Sequence, residues 1–218
     1  MAGYRADEPS AWFATAALTE LGLGVVAIVL GWAVGANVRE DIPHWSDVAG
    51  LLRAGFWGGL VGVGLVVAMQ GLSQLPLPSL ERLNQVMDRR YADILAPLTA
   101  PEMLMLALTA GIGEELLFRG WLQNWLIRLA EASSIGLPEW MCACFGWIVA
   151  SLAFGLAHPI SRTYVLLAAL IGLVLGALYL LTGSLLSSIL AHAVYDAILL
   201  LMWRRRFPER SSSDGIDA

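Results

Sequence analysis

Long apolar runs separated by short polar connections recur along the whole sequence. Six of these runs hold about 20 mostly apolar residues, the length that a helix needs to cross the hydrocarbon core of a bilayer. The runs lie at about 11–35, 52–75, 101–127, 138–158, 164–182 and 184–203. This pattern predicts an all-α protein, a polytopic membrane helical bundle of about six transmembrane helices.

A different pattern occupies the connection between the second and third runs. In "PSLERLNQVMDRRYADILAP" apolar residues recur at helical spacing beside charged ones: Leu80, Leu83, Val86 and Met87. A helix with one apolar and one charged side is suited to lie in the plane of the membrane interface. We therefore expect an interfacial amphipathic helix here, in addition to the spans.

Two connections carry signals for the ends of helices. Thr99 and Glu102 have the spacing of a capping box, in which each side chain bonds the backbone of the other residue, so the third span should begin there. Gly183 and Ser184 stand between the fifth and sixth runs, and a glycine at such a point is typical of a helix end. The sequence therefore predicts a tight hairpin between the last two spans.

The composition agrees with a membrane protein. Of the 218 residues, 58% are hydrophobic and only 14% are charged, whereas a soluble domain carries about 25% charged residues. We expect residues 1–218 to form a single integral membrane domain that ends in a polar cytoplasmic tail, residues 204–218. The first run is longer than the core of a signal peptide, so we expect it to be retained as a span.

The placement of arginine predicts the orientation, because cytoplasmic loops of membrane proteins carry an excess of positive charge. With six spans, both termini lie on one side, and that side would hold most of the arginines: Arg5, Arg82, Arg89, Arg90, Arg162, Arg204, Arg205, Arg206 and Arg210. The opposite side would hold only Arg39, Arg53 and Arg128. Both termini are therefore expected in the cytoplasm.

Six ionisable residues stand inside three of the apolar runs. They are Glu114, Glu115, Arg119, His158, His192 and Asp196. A charge at the centre of a bilayer costs about 2.5–3.5 kcal/mol on insertion scales, so such residues face a protein interior or a wet cavity. This number of ionisable groups exceeds what packing alone requires, and it indicates a functional site.

Helix geometry predicts which charged residues of the third run can form an ion pair. Glu115 and Arg119 are four residues apart, hence on one face and able to form an ion pair. Glu114 lies about 100° around the helix from Glu115, because an α-helix has 3.6 residues per turn. We therefore expect Glu114 to lack that partner and to face a small wet chamber shared with two imidazoles.

The other three groups have their own geometry. His192 and Asp196 are also four residues apart, so the carboxylate can orient the imidazole. His158 precedes Pro159, which disfavours helical backbone at the histidine and places it near the end of its helix. A glutamate with two histidines can activate a water molecule. Equally, Glu114, His158 and His192 could hold one divalent metal ion, possibly zinc, with water in the open position.

Three short motifs in these runs resemble those of a known family. "EELLFR" matches an EExxxR motif, "FGLAH" an FxxxH motif and "HAVYD" an HxxxN/D motif. The three in this order are similar to the CAAX-protease and bacteriocin-processing (CPBP, or Abi) intramembrane proteases, a family that includes the type II CAAX prenyl endopeptidases. The resemblance covers roughly residues 99–203, which would form the catalytic core, and leaves the first two spans and the interfacial helix outside it.

The resemblance implies an intramembrane endopeptidase that hydrolyses peptide bonds of membrane-associated proteins or peptides. Glu114 would activate water with His158, while His192 and Asp196 would complete the site and stabilise the oxyanion. The resemblance gives Glu115 and Arg119 a supporting role. It implies a bacterial inner (plasma) membrane, the lipid bilayer and a membrane-associated peptide or protein as partners, and no nucleic acid.

Two features of the resemblance leave the chemistry open. The prenyl endopeptidases have asparagine where this chain has Asp196, and an ionised aspartate cannot donate to an oxyanion. Members are described both as metalloproteases and as metal-free glutamate proteases, so the expected cofactor is none or one divalent metal. The helix with Glu114 lacks the HExxH pattern of paired ligands, which favours the metal-free mechanism.

Two alternatives from other functional classes use the same residues. A non-catalytic immunity or partner-binding membrane protein is one, since the family includes members associated with bacteriocin self-immunity. A proton-coupled carrier is the other, because buried carboxylates and histidines also form proton relays. The sequence shows no convincing internal repeat of the kind found in many carriers.

Overall fold

A computed structural model describes residues 8–95 and 97–206, and no β-strand occurs among them. The prediction of an all-α protein is thereby confirmed. In chain order the helices are α1 (Glu8–Ala33), α2 (Val48–Ser73), α3 (Pro78–Leu95), α4 (Ala100–Glu115), a π-helical segment (Leu116–Gln123), α5 (Asn124–Glu131), α6 (Glu139–Leu156), α7 (Arg162–Thr182) and α8 (Leu185–Arg206). Most of the expected polar tail, from residue 207 onward, lies outside the described residues.

Five helices of the described chain are long and apolar enough to cross a membrane. They are α1, α2, α6, α7 and α8, and they correspond to five of the six predicted spans. The predicted third span, 101–127, is helical throughout but is not one α-helix. It consists of α4, the π-helical segment and α5, which are 16, 8 and 8 residues long.

The π-helical segment follows directly on the two glutamates of the third run and contains Arg119. A π-helix has i→i+5 hydrogen bonds, is wider than an α-helix and occurs frequently at functional sites. Gly120 lets this wider segment contact the loop after α1, since a methyl group on Gly120 would lie 2.8 Å from the carbonyl oxygen of Val38. The apolar pattern alone does not distinguish this geometry from a regular helix.

The predicted helix signals are found where the sequence places them. Thr99 and Glu102 form the capping box at the start of α4, with both reciprocal bonds present. Gly183 ends α7 in the left-handed conformation, with φ of 59°, and α8 begins two residues later. The amphipathic helix is α3, and its Leu80 and Leu83 are buried against Leu167 of α7. Its place at the membrane interface remains a prediction.

Close helix contacts bring the ionisable residues together. Helix α8 packs against α2, α4 and α7, while α1 packs against α4 and the π-helical segment, and α6 against α7 and the π-helical segment. Small residues allow this approach: a methyl group on Gly62 would lie 2.7 Å from the carbonyl oxygen of Ala191, and one on Gly111 would lie 3.0 Å from that of Ile189. Such small residues drive association where lipid and side chains are equally apolar.

Candidate active site

The six sequence-predicted residues come from three separate parts of the chain and meet in one polar centre. Glu114 and Glu115 end α4 and Arg119 lies in the π-helical segment. His158 follows α6 by two residues, and His192 and Asp196 lie on α8. Ion-pair contacts link Glu115 with Arg119 and His192, which we call the Glu115 group, and Glu114 with His158, which we call the Glu114 group. Asp196 contacts the Glu115 group through His192.

The Glu115 group is fully buried and closely paired. Arg119 Nη1 donates to Glu115 Oε1 at 2.7 Å, which confirms the predicted pair. His192 Nδ1 lies 2.9 Å from the same oxygen. Arg119 Nη2 donates to the carbonyl oxygen of Gly172 at 3.0 Å. Because the exposed fractions of Glu115 and Arg119 are 0% and 1%, these charges rely on one another rather than on solvent.

The contact between Glu115 and His192 was not expected from the sequence. Spacing predicted only the neighbour one turn away on the same helix, whereas His192 is 77 residues further along the chain. The carboxylate accepts from Nδ1, so this nitrogen carries a proton. Glu115 therefore orients the imidazole as well as neutralising Arg119.

The ring of Phe154 packs against side chains of both groups. The Arg119 guanidinium lies 4.5 Å from the centre of this ring, within the range of a cation–π contact. The rings of His158 and His192 lie 4.7 Å and 5.9 Å from it, centre to centre. The sequence marked Phe154 only as the first letter of a motif, while the structure makes it a common packing surface for three functional side chains.

The Glu114 group is less tightly paired. His158 Nε2 lies 3.7 Å from Glu114 Oε2, and no described group forms a hydrogen bond to that oxygen. His158 Nδ1 lies 2.8 Å from the carbonyl oxygen of Phe154 and must be the donor there, which leaves Nε2 directed at the carboxylate.

Asp196 lies beside the second nitrogen of His192, as the four-residue spacing predicts. Its Oδ2 is 3.4 Å from His192 Nε2, and its side chain is 29% exposed. His192 is therefore held between two carboxylates, Glu115 on one side and Asp196 on the other. The Asp196 contact is the longer and the more accessible of the two.

The residues proposed for a metal site do not converge as ligands. Among the described residues, no group of three His, Cys, Asp or Glu side chains is arranged to hold a metal ion. The reason is visible at His192, whose two nitrogens face Glu115 and Asp196 rather than Glu114 and His158. Because a metal-binding imidazole needs one nitrogen free for the ion, Glu114, His158 and His192 do not fit a common ion in this arrangement.

One ionisable residue near this centre was missed by the motif analysis. Glu20 lies on α1, in the first span, and its half-buried side chain interacts electrostatically with Glu114, His192, Asp196 and His158. The available signal was that Glu20 is the only charged residue of the segment Ala11–Ala33. A charge inside a span is a functional candidate by itself.

The helices and this polar centre together define a polytopic membrane protein with a buried carboxylate–imidazole site. Compared with known families, residues 96–198 match the family model described as "Type II CAAX prenyl endopeptidase Rce1-like". The match confirms the family resemblance over this part of the chain, and that family is one of CAAX-type intramembrane proteases. No curated protein and no solved structure matches the chain.

Proposed function

We propose that the protein is an intramembrane endopeptidase in which Glu114 and His158 activate a water molecule. The observation that carries this proposal is the pair formed by Glu114 Oε2 and His158 Nε2, 3.7 Å apart inside a helical bundle. A carboxylate oxygen without a hydrogen-bond partner beside an imidazole nitrogen offers two proton acceptors to one solvent molecule. The family match supports peptide-bond hydrolysis as the reaction.

In the proposed reaction Glu114 takes a proton from water, assisted by His158. The water oxygen forms a bond to the carbonyl carbon of the substrate, and the carbonyl electrons move to its oxygen. This oxyanion needs a donor placed before the reaction begins. His192 can supply it, because Glu115 fixes its Nδ1 and the contact of Nε2 with Asp196 is 3.4 Å, long enough to be shared.

Asp196 has a different part from the asparagine of the prenyl endopeptidases. As a carboxylate it cannot donate to the oxyanion, but it stabilises the protonated form of His192, which can. Glu115 and Arg119 form an ion pair that holds the EELLFR motif in place. The proposed substrates are membrane-associated peptides or proteins, of the CAAX type if the family's substrate class extends to this chain.

Cleavage in proteoliposomes tests the proposal. The pure protein should cut a membrane-anchored fluorogenic peptide, and Glu114→Gln should lower kcat by about 100-fold or more, the usual contribution of a general base. His158→Gln should lower it to a similar extent. Glu81→Gln is the matched control, because Glu81 is an exposed glutamate of α3 outside the polar centre, and it should leave kcat unchanged.

Two results would contradict this function. Glu114→Gln with undiminished cleavage would remove the general base. A folded wild-type protein that cuts no membrane peptide, yet confers resistance to a bacteriocin in cells, would instead favour the non-catalytic immunity role.

A further inference from the structure

Helix α1 turns one narrow face toward the polar centre. Apart from one glutamate, the face consists of small residues: Ala17, Gly24, Ala27 and Gly31, all buried. Glu20 stands within this series, at the position between Ala17 and Gly24. Since the intervals of three and four residues keep all five positions on one side of the helix, the glutamate points the same way as its small neighbours.

The backbone of Glu20 lies directly against the residue that precedes Glu114. A methyl group on Gly113 would lie 1.8 Å from the carbonyl oxygen of Glu20, so only glycine fits there. Gly24, one turn further along α1, packs in the same way, with 3.5 Å from its methyl position to the Cα of Gly113. This contact holds Glu20 at the level of the proposed catalytic pair.

The carboxyl of Glu20 is placed there without a described partner. Its Oε2 is buried and accepts no hydrogen bond from any residue that the structure describes. Of the charged groups around it, Glu114 has the strongest electrostatic effect, followed by His192. A buried polar atom without a partner requires an explanation, and a catalytic role is one of the recognised ones.

The charges of the centre show what this carboxyl can do. Four carboxyl groups meet there: Glu20, Glu114, Glu115 and Asp196. Against them stand one arginine and two imidazoles, so the acids outnumber the cations even when both imidazoles are protonated. Carboxyl groups crowded together at low solvent access retain a proton among them. Glu114, Glu115 and Asp196 each face a nitrogen of Arg119 or of an imidazole, so Glu20 is the one of these four carboxyls without a described ion pair and the one best placed to hold the shared proton.

We propose that Glu20 is the general acid of the peptidase reaction and delivers a proton to the departing amine. This inference rests on the proposed function. After the water oxygen has bonded to the carbonyl carbon and Glu114 has taken its proton, the C–N bond breaks and its electron pair goes to nitrogen. The nitrogen takes the proton of Glu20, and the proton on Glu114 then passes to Glu20. The net products are a carboxylic acid and an amine, and both side chains regain their starting states.

The leaving group distinguishes this role from a structural one. An amine must be protonated to depart, whereas a phenol leaves as its anion without a proton. We would compare, in proteoliposomes, a membrane-anchored peptide with the matched compound in which the scissile amide is an ester of a phenol. Glu20→Gln, which keeps the size and the hydrogen-bonding capacity of the side chain, should lower kcat for the amide by about 100-fold. It should leave kcat for the ester within a few-fold of the wild type.

Three further variants complete the test. Glu114→Gln should lose cleavage of both compounds, because both need activated water. Thr19→Val, a change on the exposed side of α1 next to Glu20, should alter neither rate. Glu20→Asp retains an acid on a shorter arm and should recover part of the amide cleavage that Glu20→Gln loses.

The outcomes separate the two proposals. With an active wild type, equal losses on amide and ester in Glu20→Gln, or no loss on either, would overturn the general-acid role and leave the endopeptidase intact. A wild type that cleaves neither compound would overturn the endopeptidase and the general acid with it. Amide-specific loss with recovery in Glu20→Asp is the result we expect.

Discussion

The two groups of the polar centre differ in how completely their charges are paired. In the Glu115 group, one carboxylate oxygen has the Arg119 guanidinium at 2.7 Å and the His192 imidazole at 2.9 Å. In the Glu114 group, Nε2 of the His158 imidazole lies 3.7 Å from Glu114 Oε2, and this oxygen, like Glu115 Oε2, accepts no hydrogen bond from the described residues. Both glutamates are buried and adjacent in sequence, so burial alone does not explain the difference.

We infer from this difference that the neighbouring residues Glu114 and Glu115 have different roles. Closely paired and hydrogen-bonded charges keep a fold rigid, whereas a carboxylate with only a long contact to an imidazole is able to bind a solvent molecule between them. Under the proposed function, the Glu115 group supports the centre and the Glu114 group acts in it. Variants of the first should alter folding, and variants of the second should alter turnover with little effect on folding.

Arg119→Met should have the largest effect. It leaves the Glu115 carboxylate buried without its main partner, and breaking a buried ion pair in this way costs about 3–5 kcal/mol. We expect a large loss of unfolding free energy, measured by denaturant titration in bicelles, together with loss of cleavage. The double variant Glu115→Gln/Arg119→Met should be more stable than Arg119→Met, since it removes the orphaned charge. A single variant as stable as the wild type would contradict the supporting role of this group.

Gly113→Ala should come next. The added methyl group would lie 1.8 Å from the carbonyl oxygen of Glu20, so α1 must move away from α4. Overpacking of this kind costs about 1–3 kcal/mol, and displacement of Glu20 should also reduce amide cleavage. Gly22→Ala is the matched control, because no atom lies within 4 Å of its methyl position. Equal behaviour of the two variants would show that the contact between α1 and α4 is dispensable.

Phe154→Leu should have a moderate effect on both groups at once. Leucine fills part of the volume but removes the cation–π contact with Arg119, which is 4.5 Å from the ring centre. Such contacts contribute about 0.5–2 kcal/mol, and both imidazoles lose a packing surface. We expect a lower midpoint of thermal unfolding and a lower kcat. A loss of kcat alone, at unchanged stability, would show that Phe154 serves the Glu114 group and is not needed for the stability of the Glu115 group.

Asp196→Asn should have the smallest effect. The amide can still bond to His192 and can itself donate to an oxyanion, as the prenyl endopeptidases' asparagine is expected to do. We predict cleavage within about tenfold of the wild type, equivalent to about 1.4 kcal/mol, and unchanged unfolding. Asp196→Ala removes both capacities and should lose more activity. If Asp196→Asn were as inactive as Glu114→Gln, the carboxylate at 196 would have to act directly in the reaction.

Much of the site could be predicted from the sequence because its motifs are local. The pair Glu115–Arg119 and the pair His192–Asp196 follow from four-residue spacing on one helix. The capping box and the hairpin glycine are local for the same reason. By contrast, Glu20 belongs to no motif, and only the packing of α1 on Gly113 places it beside the site.

The sequence pattern also did not predict the π-helical segment or the contact of His192 with Glu115. The π-helical segment Leu116–Gln123 continues the apolar run of the third predicted span, so hydropathy does not distinguish it from a regular helix. From the sequence we expected Asp196 beside His192 and Glu114 in the same chamber. The structure places Glu115 on its Nδ1 instead.

By itself, then, the sequence determined that the protein crosses a membrane, which ionisable residues lie inside its apolar runs and which of them pair along a single helix. These are consequences of the thickness of a bilayer and of the repeat of an α-helix, both of which act over short stretches of chain. Only the tertiary structure decided which carboxylate has close charged partners and which has only a long contact with an imidazole. That choice depends on contacts between helices distant in sequence, where the fit of small residues such as Gly113 sets the distance between one backbone and the next.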